Sequence, residues 1–154
     1  MLRNISYSHG AFRDSSKLID SAKKALANVD YDTMIGTGLS GALVIPILAR
    51  AMGKHFAIIR KPGDSRHAYQ QFEGEIGDRY VFVDDFVSSG ETRDRVRTVV
   101  KNLTTNTYDG QPSLFVGSYL YDSATDSFAY ERGEIGKFVP YPESARNTYY
   151  RETQ

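Results

Sequence analysis

The apolar positions of this chain alternate between two spacings. Residues Ser15 to Asn28 carry Leu18, Ile19, Ala22, Ala25 and Leu26, the three-and-four spacing of an amphipathic helix, with Asp14 or Ser15 placed to cap it. Asp32 to Gly36 reads as a short strand, Ser40 to Met52 as a mostly apolar helix closed by Gly53, and His55 to Arg60 as a second strand. Between Lys61 and Arg79, Pro62, Gly63, Gly74 and Gly77 fall among polar residues, which predicts a long loop or a weak hairpin. The run Val81 to Val83 has the composition of a strand buried on both faces. A helix follows from about Glu91 to Leu103 with Val96, Val99, Val100 and Leu103 on its inner face. Asn106 to Pro112 is turn-like, and Leu114 to Tyr121 is another strand.

Strands alternating with helices predict parallel βαβ units, and hence an open doubly wound parallel α/β sheet with flanking helices, in a single domain over residues 1–154. The long segment after the second strand is the expected mobile loop, since loops of that length in compact domains are usually functional or disordered. The tail from Asp122 to Gln154 has little periodicity beyond a short extended piece at Lys137 to Pro142, and is expected to form a short C-terminal cap over the site.

Composition narrows the function classes. With 19 basic and 19 acidic residues among 154, the overall field favours neither nucleic acid nor an anionic membrane as partner, so a small ligand is expected. The absence of cysteine excludes disulfides, thiol nucleophiles and cysteine-based zinc sites. No apolar run has the length of a signal peptide or a membrane span, which points to a soluble cytoplasmic protein. Eleven tyrosines, many of them after Tyr108, offer a ligand-stacking surface or the interface of a homodimer.

Candidate chemistry concentrates where the third strand ends. Asp84 and Asp85 follow Val83 directly, and a doubly wound sheet binds its ligands just beyond the carboxyl ends of its strands. Two carboxylates there can accept hydrogen bonds from a vicinal diol, or hold Mg²⁺ directly or through water. Ser88, Ser89, Gly90, Glu91 and Thr92 then supply hydroxyls, a flexible glycine and the unpaired amides of a helix start, which is an anion nest.

The stretch Arg79 to Thr92 resembles the signature of the type I phosphoribosyltransferases: a hydrophobic strand, two acids, two apolar residues and a small-residue phosphate loop ending in Gly-x-Thr. The resemblance implies that Asp84 and Asp85 hold the ribose hydroxyls of phosphoribosyl pyrophosphate and the metal, while Ser88 to Thr92 cradle the 5′-phosphate. Upstream, Ile35 to Ala42 is a second strand-to-helix turn with three glycines, able to hold a second anion. It resembles the pyrophosphate loop of the same transferases, which implies pyrophosphate binding by Gly38, Leu39, Ser40 and Gly41. Arg60-Lys61-Pro62-Gly63 resembles the run after the second strand of the adenine enzymes and implies that Lys61 contacts pyrophosphate. Arg66 and His67 fall where family members carry a lid and are the candidate catalytic donors to the leaving group.

The acceptor base stays open. Ser88 suits the orotate and adenine branches, yet Thr37 to Ser40 lacks the glutamate of the adenine enzymes. Glu134 to Val139 resembles a segment of the hypoxanthine-guanine enzymes, which implies a base-binding role for Phe138 and Val139. Asp122 stands where those enzymes carry a lysine at the end of the last strand. Two functions follow: Mg²⁺-assisted transfer of ribose 5-phosphate from phosphoribosyl pyrophosphate to a nucleobase nitrogen, or a regulatory module that binds the donor or a nucleotide without transfer. A response-regulator-like domain, with paired acids for Mg²⁺, is the third and weakest reading, because the second glycine turn has no role in it.

Overall fold

The computed structural model describes residues 14–61, 71–85, 90–107, 109–122, 127–132 and 138–140, as backbone alone from residue 122 onward. Ten elements follow in chain order: α1 (Ser15–Ala25), β1 (Thr33–Thr37), α2 (Gly38–Met52), β2 (His55–Ile59), β3 (Phe72–Gly74), β4 (Arg79–Asp84), α3 (Glu91–Thr105), β5 (Leu114–Asp122), β6 (Ser127–Arg132) and β7 (Phe138–Pro140). The strands form one sheet in the order β3-β2-β1-β4-β5-β6-β7. Its centre, β2-β1-β4-β5, is parallel as expected, while β3 and β6 add to it antiparallel and β7 pairs antiparallel with β6.

Side-chain alternation along the central strands sorts the core onto two faces. Met34, Val81, Val83, Tyr119 and Tyr121 pack with Leu18 and Ala22 of α1 and with Val44, Ile45, Leu48 and Ala49 of α2. Their neighbours Ile35, Tyr80, Phe82 and Leu120 join Ala57 and Ile59 on the other face, against Val96 and Val100 of α3. Each fully buried aliphatic or aromatic side chain in these clusters contributes about 1.5–3 kcal/mol. The sheet is therefore wound on both sides: α2 carries the chain from β1 to β2 over one face, and α3 carries it from β4 to β5 over the other.

Close approach fixes two glycines. A β-carbon on Gly36 would overlap Ile45 Cδ1 and the Val83 carbonyl oxygen, so glycine lets α2 and β4 close on β1 there. At the opposite end of the sheet a β-carbon on Gly77 would overlap the Asp32 carboxylate. That carboxylate accepts from Thr33 Oγ1 at 2.5 Å and from the amides of Asp78 and Arg79 at 2.9 and 3.2 Å, pinning the turn into β4.

The differences from expectation lie at the edges. Helix α2 starts two residues early, at Gly38, and Gly53 ends it in the left-handed conformation as anticipated. Of the segment after β2, residues 62–70 lie outside the described residues, and Phe72 to Gly74 make a hairpin with β2. Beyond β5, which is not the last strand, β6 and β7 extend the sheet, and most of the segment expected as a cap, including residues 141–154, lies outside the described residues. β6, which carries Phe128 and Tyr130, runs antiparallel to β5 with Ser127 opposite Asp122. Among the described residues no helix is long and apolar enough to cross a membrane.

Candidate active site

The strand order reverses between β1 and β4, and the pairing shows a crevice at that point. β1 stays paired with β2 as far as Thr37 and Ile59, and β4 with β5 as far as Asp84 and Leu120, yet β1 and β4 are paired only up to Ile35 and Phe82. The last residues of the two central strands thus flank an opening at the carboxyl edge, where open α/β sheets bind their ligands.

Two glycine turns line it. Gly38 follows Thr37 with φ 79°, and Gly90 precedes Glu91 with φ 82°; both values lie in the left-handed region that favours glycine. Each turn leads into a helix whose first amides have no partner within the helix, the arrangement that receives anions. The first turn of α2 holds no acidic residue. Each glycine also lies beneath a cation: a β-carbon on Gly38 would stand 3.1 Å from Lys61 Cε and 3.3 Å from Nζ, and one on Gly90 would stand 3.1 Å from Arg93 Nη2. The side chains of Lys61 and Arg60 part company, because Arg60 pairs with Glu73 of β3 while Lys61 reaches over the Gly38 turn.

Asp84 and Asp85 stand at the mouth of the crevice, both partly buried. The Asp85 amide donates to Asp84 Oδ1 at 2.8 Å. Burial, reinforced by the hydrogen bond and negative charge of Asp85, pushes the Asp84 carboxyl up to about 8, with Lys61 pulling the other way. Lys61 therefore acts electrostatically on Asp84 as well as lying over the Gly38 turn. A half-buried carboxylate that resists ionisation beside a second one is a pair awaiting positive charge. It suits Mg²⁺, which takes one or two carboxylates and completes its shell with water and substrate phosphate oxygens. Among the described residues there is no cluster of three or more metal-ligating side chains that would make a protein-only cage.

The other sequence candidates divide. Gly38, Leu39, Ser40 and Gly41 form the first turn of α2, Leu39 with its side chain 80% exposed, and Glu91 and Thr92 open α3 with exposed side chains. Gly90 is the residue before that helix, and its carbonyl accepts the Asp94 amide at 2.9 Å. Ser88 and Ser89, like Arg66 and His67, lie outside the described residues. Phe138 and Val139 sit on β7, paired with Glu131 and Tyr130 of β6. In the sheet order β7 is the third strand from β4.

Sequence reasoning missed Arg95. Its guanidinium donates to the Arg60 carbonyl and to Thr37 Oγ1, each at 3.3 Å, tying α3 to the ends of β1 and β2. The signal was present, since Arg95 lies four residues before Val99 and next to Val96, which puts a cation on the inner stripe of an amphipathic helix.

Comparison with solved structures identifies this architecture as the type I phosphoribosyltransferase fold. Adenine phosphoribosyltransferase from Thermoanaerobacter pseudethanolicus is 22% identical, with 69% of this chain and 68% of that one covered at a TM-score of 0.52. Orotate phosphoribosyltransferase from Francisella tularensis is 16% identical over 69% and 50% of the two chains, with a TM-score of 0.53. UMP synthase from Leishmania donovani is 21% identical over 72% of this chain and 23% of that one, with a TM-score of 0.54. The likeness thus spans between about a quarter and two thirds of those chains. No protein-family model and no curated protein matches the sequence.

Proposed function

We propose that this protein is a phosphoribosyltransferase that transfers ribose 5-phosphate from phosphoribosyl pyrophosphate to a nitrogen of a nucleobase and releases pyrophosphate. The observation that carries the reading is the pair of left-handed glycine turns, each beneath a cation, at the carboxyl edge of the sheet where Asp84 and Asp85 end β4. A donor with a phosphate at one end, a pyrophosphate at the other and a diol between them has that pattern of charge.

In this reading the amides opening α2 and the Lys61 ammonium hold the pyrophosphate, while the amides opening α3 and Arg93 hold the 5′-phosphate. Asp84 and Asp85 accept hydrogen bonds from the ribose hydroxyls and hold Mg²⁺. Mg²⁺ held there would supply positive charge against the departing pyrophosphate. The C1′–oxygen bond to pyrophosphate breaks, its electron pair leaving with the pyrophosphate, and the C1′–nitrogen bond to the base forms as the base nitrogen gives up its proton to the departing pyrophosphate or to solvent. Catalysis is by position and charge: Lys61 and the α2 amides stabilise the departing anion, and no protein nucleophile is needed.

A second reading is a module that binds the donor or a nucleotide without transfer. What favours it is Asp122, which stands where the resemblance to the hypoxanthine-guanine enzymes calls for a lysine. Titration with phosphoribosyl pyrophosphate in the presence and absence of Mg²⁺, followed by a panel of bases monitored for pyrophosphate release, tests both. Mg²⁺-dependent binding with release on one base supports the transferase, binding without release on any base supports the module, and no binding overturns both.

A further inference from the structure

We infer that Arg95 is a positioning residue for the pyrophosphate half of the site, an inference that rests on the functional reading above. Its place in the fold is the argument. The two acceptors of its guanidinium are Thr37 Oγ1 and the Arg60 carbonyl, the residues immediately before Gly38 and Lys61. Gly38 and Lys61 are the turn and the cation proposed to hold the pyrophosphate, and they arrive from two different strands.

Thr37 has little latitude. Its hydroxyl donates to the Ile59 carbonyl at 2.6 Å and accepts from Arg95, and its side chain is almost wholly buried. Arg95, Thr37, Ile59 and Arg60 thus form one hydrogen-bonded knot at the carboxyl ends of β1 and β2, closed by a helix that itself begins at the Gly90 turn. A guanidinium is suited to this work, since its planar, rigid fork presents donors on separate nitrogens, whereas an ammonium is a point charge. The β1–β2 pairing ends at Thr37 and Ile59, so the knot extends the link between the two strands to the residues that carry Gly38 and Lys61. The role assigned to Arg95 needs no contact with the ligand. Arg95 acts through the residues proposed to make that contact.

The test compares two probes on the full chain: inorganic pyrophosphate with Mg²⁺, and ribose 5-phosphate, titrated calorimetrically into wild type, Arg95→Met and Arg95→Lys. Arg95→Met is expected to weaken pyrophosphate binding about tenfold, the lower end of what orienting partners contribute in metal sites, and to leave ribose 5-phosphate affinity within about twofold. Arg95→Lys should show the same selective loss to a smaller degree, and it carries the test alone if Arg95→Met does not fold. Wild-type pyrophosphate affinity in the variants, or an equal loss for both probes, overturns the assignment. If wild type binds neither probe, the functional reading fails and this inference fails with it.

Discussion

Lys61 Nζ lies 3.3 Å from where a β-carbon on Gly38 would stand, so the cation that follows β2 covers the glycine that follows β1. The two residues are 23 positions apart in sequence, and parallel pairing of their strands, with Thr37 opposite Ile59, brings them together. An anion received by the amides of α2 would meet that ammonium at once.

Gly38→Ala should therefore damage the site in two ways. The backbone at φ 79° costs an L-residue about 1–2 kcal/mol, and the added methyl would press on the Lys61 side chain. Urea denaturation is expected to show that loss of stability, and pyrophosphate affinity should fall while ribose 5-phosphate affinity holds.

Asp84 gives the site a pH signature. Its carboxyl in the fold stands above the ordinary value of 3.8, at about 8, so its contribution to the stability of the ligand-free protein is fully present below about pH 4 and is lost as pH rises toward 8. Asp84→Asn should flatten that slope. Because Asp84 is partly open to water, the variant gains only on the order of 1 kcal/mol over wild type at pH 8.5, while Mg²⁺-dependent binding of phosphoribosyl pyrophosphate is lost. Denaturation at pH 5 and pH 8.5 measures the slope, and identical slopes in the two proteins would remove Asp84 as its source.

Arg93 should serve the other anion. If its guanidinium over Gly90 contacts the 5′-phosphate, Arg93→Ala weakens ribose 5-phosphate binding by about 1.5–3 kcal/mol, the worth of a hydrogen bond between charged groups, and weakens pyrophosphate binding less. Titration of both probes reads the difference, and equal losses would argue against a direct contact.

Asp32 marks the end of the sheet away from the crevice and serves as a contrast. Asp32→Ala leaves the Asp78 and Arg79 amides without their acceptor and should cost about 1–3 kcal/mol of stability, with both ligand affinities unchanged in the folded protein. Chemical denaturation alongside titration checks both halves of that expectation.

The parallel centre of the fold was legible because each strand there is a short apolar run ending at a polar or glycine turn, and each helix has a stripe of the right period. Val81 to Val83 ending at Asp84 is the clearest case. The site inherited that legibility, since the sheet alone decides that Gly38, Asp84 and Gly90 share one edge. Arg95 was obscured because a charged residue on an inner stripe reads as an interruption until its acceptors on other strands are known. The strands of the tail were less legible for a related reason: β6 is defined by its pairing with β5, and a strand held by a neighbour needs little apolar pattern of its own.

The central claim is that the two glycine turns and the acid pair form one receptor for phosphoribosyl pyrophosphate. Calorimetric titration of that donor into the wild-type protein, with and without Mg²⁺, tests it most directly. One molecule bound per chain, with Mg²⁺ required and with competition from both pyrophosphate and ribose 5-phosphate, is the predicted result; a protein that binds none of the three with or without the metal would contradict the account.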